Sequence, residues 1–206
     1  MIALIPAAGH SSRMGRPKLV LPLGNRSILE RVVQALKQAG IADVLVVIGP
    51  HVAELTPLVG DAGAHVLELP TATPDMRATV EHGLAWIEER FTLEASDAWL
   101  LAPADHPVLD PAAVRKLIAA YRGQSRCTIA IPTFQGKRGH PGIIGWNHVA
   151  GIRALPANLG LNAYLRQQSA ETLLVPVDSE SILFDLDTPA EYERLRSSQP
   201  HADRQQ

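Results

Sequence analysis

Residues Ile5 to Lys18 read I-P-A-A-G-H-S-S-R-M-G-R-P-K and overlap the end of the apolar run Ile2 to Ile5. The run is short and rich in branched side chains, which marks a buried strand, so Ala7, Ala8 and Gly9 fall where that strand ends. Side chains this small leave peptide N–H groups uncovered, and N–H groups lining a concave turn bind an anionic oxygen or the edge of a base. Arg13 and Lys18 add two fixed positive charges a few residues further on, as a polyphosphate requires. The chemistry suggested is nucleotide binding; an ordinary surface loop whose cations are merely solvated is the alternative.

Two better-known phosphate loops do not fit it. The Walker pattern places Lys directly after its second Gly and then Ser or Thr, whereas Gly15 is followed by Arg16, Pro17 and Lys18. A dinucleotide fingerprint needs G-x-G-x-x-G at the opening of a helix, and only Gly9 and Gly15 are present.

Outward from the loop, strand and helix patterns alternate. Lys18 to Leu23 stays mostly apolar and ends at the turn pair Gly24-Asn25. Ser27 with Glu30 forms a capping box for a helix carrying Leu29, Val32, Val33 and Leu36 on one face and stopping at Gly40. Val44 to Ile48 is a second strand, closed by Gly49-Pro50. A short helix over His51 to Val59 is limited by Pro57 and Gly60. A weaker strand, His65 to Leu69, leads through P-T-A-T-P-D to a helix over Met76 to Arg90. Trp99 to Leu101 is a fourth strand running into P-A-D-H-P, and Asp110-Pro111 opens a helix over Ala112 to Tyr121. Such alternation implies a parallel sheet with right-handed crossovers, whose ligands bind at the carboxyl ends of the strands.

The second half is less regular. Strands are expected at Thr128 to Pro132, Gly142 to Trp146 and Thr172 to Val177. A polar loop is expected at Gln135 to His140, and helices at Asn162 to Gln167 and Pro189 to Arg196. No linker or repeat divides the chain, so residues 1–196 are expected to form one domain and 197–206 a polar, disordered tail.

With 206 residues the chain can bury a sizeable core. A net charge of −2 gives no broad basic field, which argues against nucleic acid or an anionic membrane surface as a main partner. The single cysteine, Cys127, excludes an internal disulfide and reads as a buried strand thiol in a reducing cytoplasm. No apolar stretch is long enough to cross a bilayer.

Asp105, directly after the fourth strand, lies where open α/β sheets carry ligand-binding groups, although a carboxylate there also serves as a turn or cap residue. In I-L-F-D-L-D-T-P, Asp185 and Asp187 alternate with apolar residues, as on one side of a strand. Asp187 either caps the helix beginning near Pro189 or meets Asp105 at a cation. Mg2+ needs only one or two carboxylates beside phosphate oxygens and water. His140 either contacts a ligand or fixes its loop through a backbone hydrogen bond. Asp75 and Arg77, two residues apart, can form a surface ion pair.

The run A-A-G-H-S-S-R-M-G-R-P-K-L-V-L-P-L resembles the signature loop of nucleotidyltransferases that attach a nucleotide to molybdopterin, roughly A-A-G-x-S-x-R-M-G-x-x-K-L-x-L-P. It is similar to the molybdenum cofactor cytidylyltransferase branch, because the guanylyltransferase branch usually has a second Gly where Ala8 stands. Later motifs extend the resemblance along nearly the whole chain. It implies a single Rossmann-like, glycosyltransferase-A-like three-layer sandwich with a mostly parallel sheet. It further implies Mg2+ on Asp105 and Asp187, the triphosphate on Arg13 and Lys18, and the base at Ala7, Ala8 and Gly9. The segment Arg138 to Pro141 matches a G-H-P motif beside the acceptor, which assigns Arg138 and His140 to acceptor binding. CTP and a phosphorylated acceptor, above all molybdopterin, are the implied substrates, with a molybdoenzyme or its chaperone receiving the product. A sugar-phosphate nucleotidyltransferase and a non-catalytic delivery module are the alternatives. One departure stands out: the family usually shows G-x-S-x-S where this chain has Asp75, Arg77 and Thr79, so Thr79 is the hydroxyl expected near the nucleotide.

Overall fold

The structure is a computed structural model and describes residues 1–9, 14 and 17–198; Arg13, His10, Gly15 and the end of the expected tail lie outside the described residues. The elements in chain order are β1 (Ile2–Ala7), β2 (Pro22–Leu23), β3 (Arg26–Ser27), α1 (Ile28–Gln38), β4 (Asp43–Ile48), α2 (Leu55–Asp61), β5 (His65–Glu68), α3 (Met76–Arg90), β6 (Ala98–Leu101) and α4 (Pro111–Arg122). There follow β7 (Ile129–Phe134), β8 (Lys137–Arg138), β9 (Gly142–Gly145), α5 (Val149–Arg153), α6 (Leu161–Gln167), β10 (Thr172–Pro176) and α7 (Pro189–Ser198).

The main sheet runs β10-β7-β9-β6-β1-β4-β5, with β8 paired to β7. All its long pairings are parallel except those of β9, which is antiparallel to both β6 and β7. From β1 the chain moves to β4 and β5 on one side and later returns to β6 on the other. The strand order therefore reverses at β1 and β6, and in such sheets the crevice beyond the carboxyl ends at the reversal is the ligand site.

Alternation along β1 builds the three layers. Ala3, Ile5 and Ala7 join a cluster formed with α1, α2, α4 and α7, while Ile2 and Leu4 join the opposite cluster with α3, α5 and α6. The small residues allow close contact on the α3 side: a Cβ on Gly83 would overlap Leu4 Cδ1 and lie 3.0 Å from Val47 Cγ2. In α1 the predicted capping box is present, with Ser27 Oγ accepting from Glu30 N and Glu30 Oε2 accepting from Ser27 N. Among the described residues no helix is long and apolar enough to cross a membrane.

Several expectations need correction. Pro57 and Gly60 lie inside α2; Pro57 occupies the first turn, where a missing N–H breaks no intrahelical bond. The expected polar loop after β7 is a hairpin, because Gln135 and Gly136 take positive φ (49° and 78°), the conformation of a tight two-residue turn. Cys127 is only half-buried and precedes β7. Residues 184–187 belong to no strand, so the alternation of Asp185 and Asp187 has another origin. The last helix reaches Ser198, two residues into the expected tail.

Candidate active site

Ala7, Ala8 and Gly9 wall one side of a cavity of about 380 Å³, and Asp105 and Asp187 another. The size is within the usual range for a small-molecule site. Ala8 is 4% exposed, and a Cβ built on Gly9 meets nothing within 4 Å, so the space beside that backbone belongs to the cavity.

Lys18 is held by a turn that the core anchors. Leu19 and Leu21 are buried beside it, and their carbonyls accept from Leu29 N and Ile28 N. Its stem thereby enters the cavity. Nζ donates to Asp105 Oδ2 at 2.7 Å, to Leu186 O at 2.7 Å and to Asp187 Oδ1 at 3.2 Å. One ammonium thus touches two carboxylates far apart in sequence. A cation already sits where both acids reach it, so the pair has the geometry to share a divalent ion.

Two backbone features bring Asp187 there. Leu186 N donates to Asp105 O at 2.9 Å, pinning the segment before α7 against the loop after β6. The cap of α7 is Thr188 rather than Asp187: Thr188 Oγ1 accepts from Glu191 N, and Glu191 Oε2 accepts from Thr188 N and Asp187 N. These backbone bonds, with the Thr188 hydroxyl, hold the Glu191 carboxyl below its ordinary range. With the cap supplied by its neighbours, the Asp187 carboxylate faces Lys18. Asp185 is exposed and does not line the cavity.

Among the described residues no group of three or more His, Cys, Asp or Glu could hold a metal. Two carboxylates alone leave most positions of a hard cation to water and phosphate oxygens, the arrangement magnesium favours when nucleotide phosphates supply ligands. The donor set fits a nucleotide-dependent divalent ion.

The residues assigned to acceptor binding are placed differently. Arg138 is exposed on β8, and neither it nor His140 lines the cavity. His140 donates its backbone N–H to Ile182 O at 2.8 Å, and its ring packs edge-to-face on His106 with centroids 5.6 Å apart. Sequence reasoning missed His106, which is 4% exposed and lies directly behind Asp105. Burial lowers the pKa of both rings; for His140 burial and then His106 push it down to about 4, against the opposing pull of Asp105 and Asp185. A histidine neutral in the fold but titrating near 6.5 when unfolded favours unfolding as it takes up its proton. Its contribution is intact above about pH 6.5 and is lost as pH falls toward 4. Chemical denaturation between pH 7 and 4.5 should therefore show wild type losing on the order of 2–3 kcal/mol more than His140→Gln. Parallel curves for the two proteins would contradict a neutral buried ring.

The wall from α3 also departs from expectation. Asp75 caps α3, its Oδ1 accepting from Ala78 N at 2.8 Å, and makes no pair with Arg77. Arg77 turns to the segment before α6, donating to the carbonyls of Leu155, Pro156 and Leu159, and pairs with Glu81. Thr79 lines the cavity but is 3% exposed, its hydroxyl engaged with Thr73 Oγ1 and Asp75 O. Thr73 and Asp75 are the polar side chains that this wall adds.

A sheet reversal carrying small-residue amides, a cation and two convergent carboxylates defines a nucleotide-binding α/β domain. Residues 3–172 match the MobA-like NTP transferase domain, and the chain belongs to that family. It is 30% identical over 210 residues to phosphoenolpyruvate guanylyltransferase of Rubrobacter xylanophilus, covering 96% of this chain and 94% of the relative. It is 25% identical over 205 residues to nicotine blue oxidoreductase of Paenarthrobacter nicotinovorans, covering 92% and 93% respectively. The manganese complex of Rv0371c from Mycobacterium tuberculosis shares the fold, with TM-score 0.76 and 22% identity over 96% of this chain and 97% of that one. The chain is a nucleotidyltransferase of a family that works with a nucleoside triphosphate.

Proposed function

We propose that this protein transfers a nucleoside monophosphate, CMP from CTP, to the terminal phosphate of a small acceptor of the molybdopterin class and releases pyrophosphate. The observation that carries the reading is the meeting of Asp105 and Asp187 on Lys18, in the cavity lined by Ala7, Ala8 and Gly9. An acceptor phosphate is itself the nucleophile, so no side chain has to form a covalent bond, and the residues contribute position and charge. Asp105 and Asp187 would hold Mg2+, which would neutralise charge on the α- and β-phosphate oxygens. Lys18 supports the same phosphates, with Arg13 as a second cation from the loop. The uncovered amides at Ala7 to Gly9 meet the base, and Ala8, buried at the cavity wall, narrows that subsite relative to glycine.

A second acceptor is favoured by one finding. The relative that is 30% identical over nearly the whole chain is named for guanylyl transfer to phosphoenolpyruvate, another phosphate monoester. The two readings share their chemistry and differ in base and acceptor. The choice between them lies in the site rather than in the fold.

The deciding experiment is a pyrophosphate-release screen of CTP, GTP, ATP and UTP against molybdopterin, phosphoenolpyruvate and a sugar phosphate, with Mg2+ and Mn2+ in parallel. Release that needs molybdopterin and is fastest with CTP supports the first reading, and release with GTP and phosphoenolpyruvate supports the second. Triphosphate binding without release under any pairing would leave a delivery module in place of an enzyme.

A further inference from the structure

Lys18 and the two carboxylates it meets belong to separately anchored parts of the molecule. Asp105 and Asp187 share one part: Leu186 N donates to Asp105 O at 2.9 Å and Asp110 N to Ser181 Oγ at 3.1 Å, which fastens the loop after β6 to the segment before α7. Lys18 belongs to the other, because Leu21 N donates to Lys18 O while the carbonyls of Leu19 and Leu21 accept from the start of α1. Two side chains outside the cavity cross between these parts. Arg31, on α1, donates Nη1 to Leu23 O at 3.1 Å and reaches across with Nε to Pro107 O at 3.0 Å, two residues beyond Asp105. Tyr192, on α7, donates its hydroxyl to Pro22 O at 2.6 Å.

We infer that Arg31 and Tyr192 are positioning residues that hold β2 from two directions and so fix the distance between Lys18 and the acid pair Asp105 and Asp187. For its catalytic consequence the inference rests on the nucleotidyl-transfer reading above, which it deepens. The two-residue pairing of β2 with β3 joins it only to its own hairpin, so its place relative to Asp105 depends on apolar packing and on these longer-range bonds. Tyr192 is 2% exposed, and a phenol buried to that degree needs a partner for its hydroxyl, which Pro22 O supplies. Burial lowers the pKa of Arg31, and Arg26 beside it adds to the shift. The guanidinium is nonetheless held there by a fork that serves two carbonyls at once. Without the two struts the acids stay fastened to each other while the ammonium is free to leave them. The carboxylates then repel each other and take up a divalent ion more readily, whereas a triphosphate loses a placed cation.

Two substitutions remove the struts with little else. Tyr192→Phe keeps the buried ring and deletes the hydroxyl. Arg31→Lys keeps the charge, but a single ammonium cannot repeat the two-pronged contact. Wild type, both single variants and the double variant are compared, each also in the Lys18→Met background. Calorimetric titration with Mn2+ and no nucleotide reads the acid pair without turnover, and pyrophosphate release reads the transfer. Tyr192→Phe carries the test by itself where Arg31→Lys lowers the yield of folded protein.

Mn2+ affinity should rise about threefold in each single variant and about tenfold in the double variant, and none of the changes should alter it once Lys18 is Met. Pyrophosphate release should fall about tenfold in each single variant and about 10²-fold in the double, the cost of misplacing a group by about an ångström, with the triphosphate KM raised and the acceptor KM unchanged. A brace that only stabilised the fold would lower the melting temperature and leave Mn2+ affinity equal or weaker in both backgrounds. That result, a tightening that persists in the Lys18→Met background, or Mn2+ binding by none of the proteins would each overturn the inference. If Mn2+ affinity shifts as expected and no pairing of triphosphate and acceptor releases pyrophosphate, the placement of Lys18 stands and the transfer reading falls. If wild type releases pyrophosphate and the variants match it in rate and in Mn2+ affinity, the inference falls alone.

Discussion

Asp105→Asn should lower metal-dependent nucleotidyl transfer by about 10²–10³-fold, the usual cost of removing one preorganised electrostatic group from a reacting centre. The side chain lies 2.7 Å from Lys18 Nζ and is 25% exposed, so its charge acts from a partly sheltered position at the cavity wall. Asparagine has the same shape, and the bond that anchors the segment before α7 uses the Asp105 carbonyl rather than its side chain. The fold should therefore survive, with a change of no more than about 1 kcal/mol, as for other partly exposed ion pairs. Pyrophosphate release titrated with Mg2+ is the check, and the half-saturating metal concentration should rise together with the fall in rate. Asp187→Asn should behave alike, whereas Asp185→Asn, outside the cavity, should stay near wild type. Near-normal turnover by Asp105→Asn, with the melting curve unchanged, would exclude a metal-holding role for it.

The layers of the fold were legible because they depend on short-range pattern. Alternating branched strands and amphipathic helices, the Ser27–Glu30 box and the Asp110-Pro111 helix start are encoded within a few residues, and each is present in the structure. The position of Asp105 was legible for the same reason, since a carboxylate just after a buried strand of a parallel sheet has little choice of place. Asp187 was legible only by resemblance. Its alternation with Asp185 suggested a strand that does not exist, and the T-P that follows it suggested a cap that Thr188 and Glu191 supply instead. The α3 wall was misread because long-range partners decide it. Arg77 is claimed by carbonyls more than seventy residues away, a competition that no local window contains. His106 gave no signal at all, because its ring partner His140 arrives from beyond a distant hairpin.

Lys18→Met should have two opposite effects, and their combination is what identifies the role of this side chain. The Lys18 side chain is 13% exposed, and its ammonium lies against both carboxylates and the Leu186 carbonyl. Methionine keeps most of the apolar stem and removes the charge. Transfer should fall about 10²–10³-fold with a raised KM for the triphosphate, because a cation facing the phosphates is lost. Binding of Mn2+ without nucleotide should tighten, by roughly tenfold, because Asp105 and Asp187 no longer share their charge with an ammonium and repel each other until a cation joins them. For the same reason the variant should melt lower than wild type in a chelator and recover when Mn2+ is added. Lys18→Arg should not restore transfer, since a planar fork cannot place one compact charge among three oxygens. Calorimetric Mn2+ titration beside a turnover assay reads both effects. Weaker Mn2+ binding with unchanged turnover would show that Lys18 only braces the two acidic segments, and the catalytic reading of the cluster would then be lost.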